Sequence, residues 1–222
     1  MYGNGQNAPK GLQPSQYNDG SIWNGQLTEY LIPSGYATSL FTYDPVSFVN
    51  TGTIGIGTIG GPIVGVFMGV KFIDTTGTAQ FLPYWPANTI TQGAVPATAL
   101  ICDDPNVLFD IQCANGAGGG PVAAPSLTQA EMFENANFGV QATTYNPIAG
   151  VTPAPNPGAG NTANGLSGYY LDTNSIANTA TLNLKLIRFT QIPGNIAGVV
   201  FNNALVKINN HYYNGGTGTA GV

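Results

Sequence analysis

The chain of 222 residues carries only 7% Asp, Glu, Lys and Arg, one His and a formal net charge of −5, against roughly 25% charged residues in ordinary soluble domains. Few acids, bases or metal ligands are left to converge in a catalytic pocket, and the five cations, Lys10, Lys71, Lys185, Arg188 and Lys207, form no patch for nucleic acid. With 43% hydrophobic residues the chain can bury a core, while its longest apolar stretch, residues 54–72, is interrupted by Gly55, Gly57, Gly60, Gly61, Pro62, Gly65 and Gly69, which argues against a membrane span.

Residues 1–25, rich in Gly, Asn, Gln and Pro with Tyr17 and Trp23 as isolated aromatics, read as an extended N-terminal arm. The first residues, Met-Tyr-Gly-Asn-Gly-Gln, have neither a basic nor an apolar stretch, so no secretory signal is expected, and the chain reads either as made and used in a cytoplasm or as a mature form with an added Met. Strand-type sequence follows at 28–32, 37–42, 46–49, 63–73 and 80–82, separated by Pro-Ser-Gly, Asp-Pro and Asp-Thr-Thr-Gly breaks. Strands at 97–102 and 107–112 flank Asp103-Asp104-Pro105-Asn106, where Asp and Asn can bond their own backbone and Pro105 fixes φ. One short helix is predicted over 127–138, with Ser126 or Thr128 as cap and Glu131 in its first turn. Residues 147–165 read as a long Pro/Gly/Asn loop, 166–171, 180–189 and 197–208 as further strands, and 213–222 as a flexible tail. The predicted class is all-β, a barrel or sandwich with β-rich halves at 26–125 and 126–212.

Several motifs invite a chemical reading. Gly55-Ile-Gly57-Thr-Ile-Gly60 matches a dinucleotide fingerprint, but β-type sequence follows where a helix is required, so a glycine-rich loop is expected. Asp103 with Asp104 could hold a hard cation, yet they read as a capped turn, and His211 beside Tyr212 and Tyr213 reads as a packing residue. Tyr84 with Trp85, and Tyr169 with Tyr170, could stack a sugar, but aromatic corners or oligomer contacts fit them better. Cys102 and Cys113 lie in apolar strand sequence and are expected as free buried thiols. With one His and no other Cys a zinc site is excluded, and no Asn-x-Ser/Thr acceptor site supports eukaryotic secretion. No cofactor is expected.

The run Tyr43-Asp44-Pro45-Val46, the hairpin around residues 65–70 with Asp74-Thr-Thr-Gly77, Pro83-Tyr-Trp-Pro-Ala-Asn88, residues 103–112 and the final strand 205–211 together resemble the small β-barrel decoration, or cement, proteins of tailed-bacteriophage heads. The resemblance covers roughly residues 37–211 and rests on structural turns. It implies a non-enzymatic virion structural protein, assembled in the host cytoplasm, that sits on the capsid exterior at local three-fold or two-fold positions and bridges major capsid subunits. The implied partners are the major capsid protein and further copies of the chain, a homotrimer first and a homodimer second, without nucleic acid or membrane. Trp23, Trp85 and the turn Tyr43, Asp44, Pro45 are the candidate contact anchors. The alternative is a carbohydrate-binding or adhesive fibre or tail component. An enzyme would have to gather Asp103, Asp104 or His211 in a cleft with a second acid or base.

Overall fold

The computed structural model describes residues 8–114, 125–140 and 160–221. Its strands are, in chain order, β1 (Gln13–Tyr17), β2 (Thr28–Ile32), β3 (Leu40–Phe41), β4 (Pro45–Val49), β5 (Thr53–Ile56), β6 (Gly65–Ile73), β7 (Ala79–Leu82), β8 (Tyr84–Trp85), β9 (Ala97–Cys102), β10 (Val107–Ala114), β11 (Asn135–Ala136), β12 (Phe138–Val140), β13 (Gly160–Asn161), β14 (Leu166–Ser167), β15 (Tyr169–Asp172), β16 (Leu184–Phe189) and β17 (Asn203–Ile208). Among the described residues the helical content is confined to single 3-10 turns, and the fold is all-β.

One antiparallel sheet runs β2-β9-β6-β4-β5, with β7 also on β6. Its two ends, β2 and β5, come side by side, so the sheet nearly closes into a barrel. Tyr36 fills part of that closure: its hydroxyl accepts from the Ile56 N–H at 2.9 Å, and a Cβ at Gly55 would lie 2.8 Å from the same oxygen. Along β9, Ala97, Ala99 and Ile101 point inward while Thr98 and Leu100 are half-exposed, the period-2 pattern of a strand with one face on a core. The interior is built from Ile32, Val46, Ile54, Phe67, Val70, Trp85 and these β9 residues. β6 is bulged against β9 between Phe67 and Gly69, where Gly69 has φ +151°, so the long strand bends around the barrel.

The second sheet runs β11-β16-β17-β10-β15-β12, with β1 also on β10 and a parallel pairing of β10 with β15. Its core of Phe109, Ile111, Leu127, Phe138, Leu171, Leu184, Leu186, Val206 and Ile208 is shared with the barrel through Ile63, Val66 and Cys102. The chain passes from the first sheet to the second between β9 and β10, at residues 102–107. Both cysteines are free and buried, with burial pushing each thiol up to about 12.

Three sequence expectations are corrected. The helix over 127–138 is replaced by one 3-10 turn, Gln129–Glu131, followed by β11 and β12. The Thr128 N–H and hydroxyl do bond the Glu131 carboxylate, but Phe133 adopts φ +73° and donates to Leu186 O, which ties the backbone to β16 instead of continuing a helix. The arm is not free from residue 8 onward: Leu12 is fully buried in the second core and β1 pairs with β10. The tail is also pinned up to residue 221. Thr219 N–H donates to Asn209 Oδ1, Thr219 O accepts from Asn135, and Gly221 N–H donates to Asn178 O. The predicted 147–165 loop lies outside the described residues up to 159, and its end enters the β13–β14 hairpin.

Asparagine does much of the loop-holding. Asn183 donates to Gly61 O at 2.8 Å and accepts from Gly60 N–H at 2.8 Å. Asn202 brackets Leu127 by bonding both its N–H and its C=O at 2.9 Å. Buried loop backbone needs such partners because an unmet amide or carbonyl costs as much as a lost hydrogen bond.

Candidate functional site

The titratable residues flagged in the sequence are drawn together by the folding of the sheets. Asp103, just after β9, accepts from Thr28 Oγ1 at 2.8 Å and from the Tyr30 hydroxyl at 2.7 Å, both on β2. The Tyr30 hydroxyl also bonds the Tyr213 hydroxyl, and Tyr213 packs its ring 5.6 Å from His211. Burial first, then the bonds to Tyr213 and Asp103, pushes the Tyr30 phenol above its ordinary value. Phe48 completes the cluster, 5.6 Å from Tyr30 and 4.8 Å from Tyr212.

Within this cluster the polar groups bond one another and the backbone. His211 is fully buried, its Nδ1 accepts from Tyr213 N–H at 3.1 Å, and burial lowers its pKa to about 4 despite the nearby Asp103 and Asp104. The proton therefore sits on Nε2, an atom without a hydrogen-bond partner. A general base must reach a reacting group with its lone pair, and the lone pair of this imidazole is held by its own backbone. Asp104 caps the turn by accepting from Asn106 N–H at 2.8 Å. Among the described residues no group of three His, Cys, Asp or Glu side chains is placed to hold a metal ion.

The remaining motifs resolve in the same direction. Gly60 N–H in the glycine fingerprint is taken by Asn183 and Gly60 itself adopts φ +73°, while a Cβ at Gly57 would lie 2.6 Å from Ile63, so Gly60 serves a turn and Gly57 close packing. Tyr169 and Tyr170 are buried and present no stacking platform.

The candidate anchors are distributed unevenly. Trp85 is fully buried, donating from Nε1 to Tyr36 O at 3.3 Å with Phe72 edge-on at 5.5 Å. Asp44 and Pro45 are buried as well. None of these three side chains offers a surface to a partner, because the barrel interior and its rim already occupy them. Tyr43 and Trp23 are half-buried against the second core.

Large exposed apolar side chains lie on the outer face of the barrel. Leu31, Thr98, Lys71 and Phe81 stand in register across β2, β9, β6 and β7. Phe81 is 75% exposed, Ile73 and Val95 are exposed beside it, and Leu31 is exposed three strands away on β2. Between them runs a groove of about 360 Å³ lined by Phe72, Ile73, Phe81, Val95 and Thr98. Lys71 pairs with Glu29 at its margin, the one ion pair among the described residues. No sequence signal marked Phe81, because Ala-Gln-Phe-Leu reads as any edge strand and does not tell which face meets the core. The fold is all-β and barrel-based, with exposed apolar side chains on the outer face of the barrel. Known protein families, curated proteins and solved structures provide no match to the chain.

Proposed function

We propose that the protein is a non-enzymatic structural component of a virion, a decoration protein that binds the outside of a tailed-phage head and bridges major capsid subunits. The carrying observation is the exposed apolar cluster of Phe81, Ile73 and Val95 on the outer barrel face, on a sheet whose opposite face is a packed core. A rigid sheet presenting an exposed aromatic is suited to a contact in which one ring fills a partner's pocket, and the sparse charge leaves little to desolvate on docking. The resemblance in the turns at residues 43–46, 83–88 and 103–112 supports the same reading, and the use of Asp103, Asp104 and His211 for internal bonds weighs against catalysis. Symmetric repetition on a lattice multiplies modest contacts into firm attachment, with a trimer as the first expected state and a dimer as the second.

The test is co-sedimentation with expanded capsids lacking the protein, combined with light scattering of the free protein. Binding that raises the capsid melting temperature, and that falls at least about tenfold in Phe81→Ala, is the expected result. A protein that leaves capsids untouched overturns the reading.

A further inference from the structure

The Tyr43-Asp44-Pro45 turn lies where the barrel meets the rest of the molecule. Tyr43 N–H donates to Phe67 O at 2.7 Å and Phe67 N–H to Asp44 O at 2.9 Å, which fixes the turn to β6. From the other side, Leu12 N–H donates to Tyr43 O at 3.0 Å, Thr42 N–H to Gly165 O at 2.8 Å and Ser167 N–H to Thr42 O at 2.9 Å. The N-terminal segment, the barrel and the β14–β15 stretch are thus joined at three consecutive residues, 42–44. The junction is tight: Gly11 has φ +81°, and a Cβ there would lie 2.4 Å from Tyr43 O and 2.6 Å from Ser167 Oγ.

Inside this junction sits the Asp44 carboxyl group, fully buried. Its Oδ2 accepts from Phe41 N–H at 2.8 Å, while Oδ1 is buried without a hydrogen-bond partner. The bond from Phe41 N–H, and after it a hydrogen bond from the Ser167 hydroxyl, favour the charged form, but desolvation outweighs both. The titratable groups facing the site are phenols: Tyr169 on β15, pushed up by burial and by Asp44, with Tyr36 behind it. No cationic side chain among the described residues contributes to the carboxyl group's environment. A buried carboxylate with no cation and one unmet oxygen is unfavourable, whereas the neutral acid is tolerated.

We infer that Asp44 is a pH-sensitive latch: its protonated carboxyl group holds the junction of residues 11–12, 42–44 and 165–169 closed, and its ionisation loosens that junction. The latch is independent of what the outer barrel face binds. Burial places the carboxyl pKa at about 8 when the junction is closed, against about 3.9 when open and solvated. Raised in the closed state, it favours closure fully below about 4 and loses that contribution as pH rises towards 8.

Hydrogen exchange of the Thr42 and Ser167 amides, corrected for intrinsic rates, reads the opening of the junction directly. Between pH 6.5 and 8, where His211 does not titrate, opening increases about tenfold in the wild type and stays level in Asp44→Asn, which keeps an acceptor for Phe41 N–H. The Asp44 carboxyl ¹³C shift, followed by NMR on the wild type, needs no variant and titrates near pH 8. A carboxyl titration near pH 4 overturns the inference. So does an Asp44→Asn protein with the wild-type pH response, or opening of Thr42 and Ser167 at the same free energy as the barrel amides Val70 and Ala99.

Discussion

Asparagine is where the sequence and the fold part company most. The abundance of Asn reads in the sequence as a neutral exterior, yet Asn183, Asn202, Asn209 and Asn210 are buried and spend their amides on loop backbone. An Asn amide looks the same in one dimension whether it faces water or a carbonyl, so only tertiary contact reveals the role. Replacing Asn202 with Ala leaves the Leu127 N–H unmet, while Leu127 O keeps its bond from Gly198 N–H, and urea unfolding should show a loss of about 1–3 kcal/mol. The buried Asp44 and His211 pull stability in opposite directions. His211, lowered to about 4 by burial, stabilises above about pH 6.5 and loses that contribution as pH falls towards 4, whereas Asp44, raised to about 8, loses its contribution as pH rises. Their slopes offset each other between about pH 4 and 6.5. From pH 6.5 to 8 only Asp44 remains, and unfolding free energy should fall by up to about 1.4 kcal/mol per pH unit. A protein as stable at pH 8 as at pH 6.5 would contradict this account.

At the scale of elements, strands with strict alternation were legible: β9 and β10 fall within two residues of their predicted spans, and β2 coincides with its own. The segment 127–138 was not, because its apolar spacing and the Thr128–Glu131 pair meet a helical template that β16 overrides by taking Phe133 and Glu134 backbone groups. If packing and not helix formation holds this segment, Glu131→Ala should change stability by less than about 1 kcal/mol. Leu127→Ala, which empties a fully buried position, should cost about 2–5 kcal/mol. The reverse ranking in chemical denaturation would restore the helix as the organising feature. The candidate surface was equally illegible, since the outward direction of Phe81 is set by the pairing of Lys71 with Phe81 and not by any local signal.

At the scale of the whole molecule, the N-terminal segment decides whether the layers behave as one unit. Read as sequence, residues 1–25 form an arm that could reach a neighbouring subunit. In the fold, Leu12 enters the second core, Leu12 N–H bonds Tyr43 O at the rim of the barrel, and β1 extends the second sheet along β10. The same segment thus contributes to the β10 edge and to the junction around Asp44. Removing residues 1–17 withdraws Leu12, the Gly11 and Leu12 bonds and β1 together. The expected result is a fall in melting temperature of more than about 10 °C, since several kcal/mol are lost, with the second sheet losing exchange protection before the barrel. A freely extended arm predicts a truncated protein as stable as the full chain. The two outcomes differ enough for one thermal scan to separate them, and the first would mean that the segment from residue 8 onward serves this subunit's own fold before it can serve any partner.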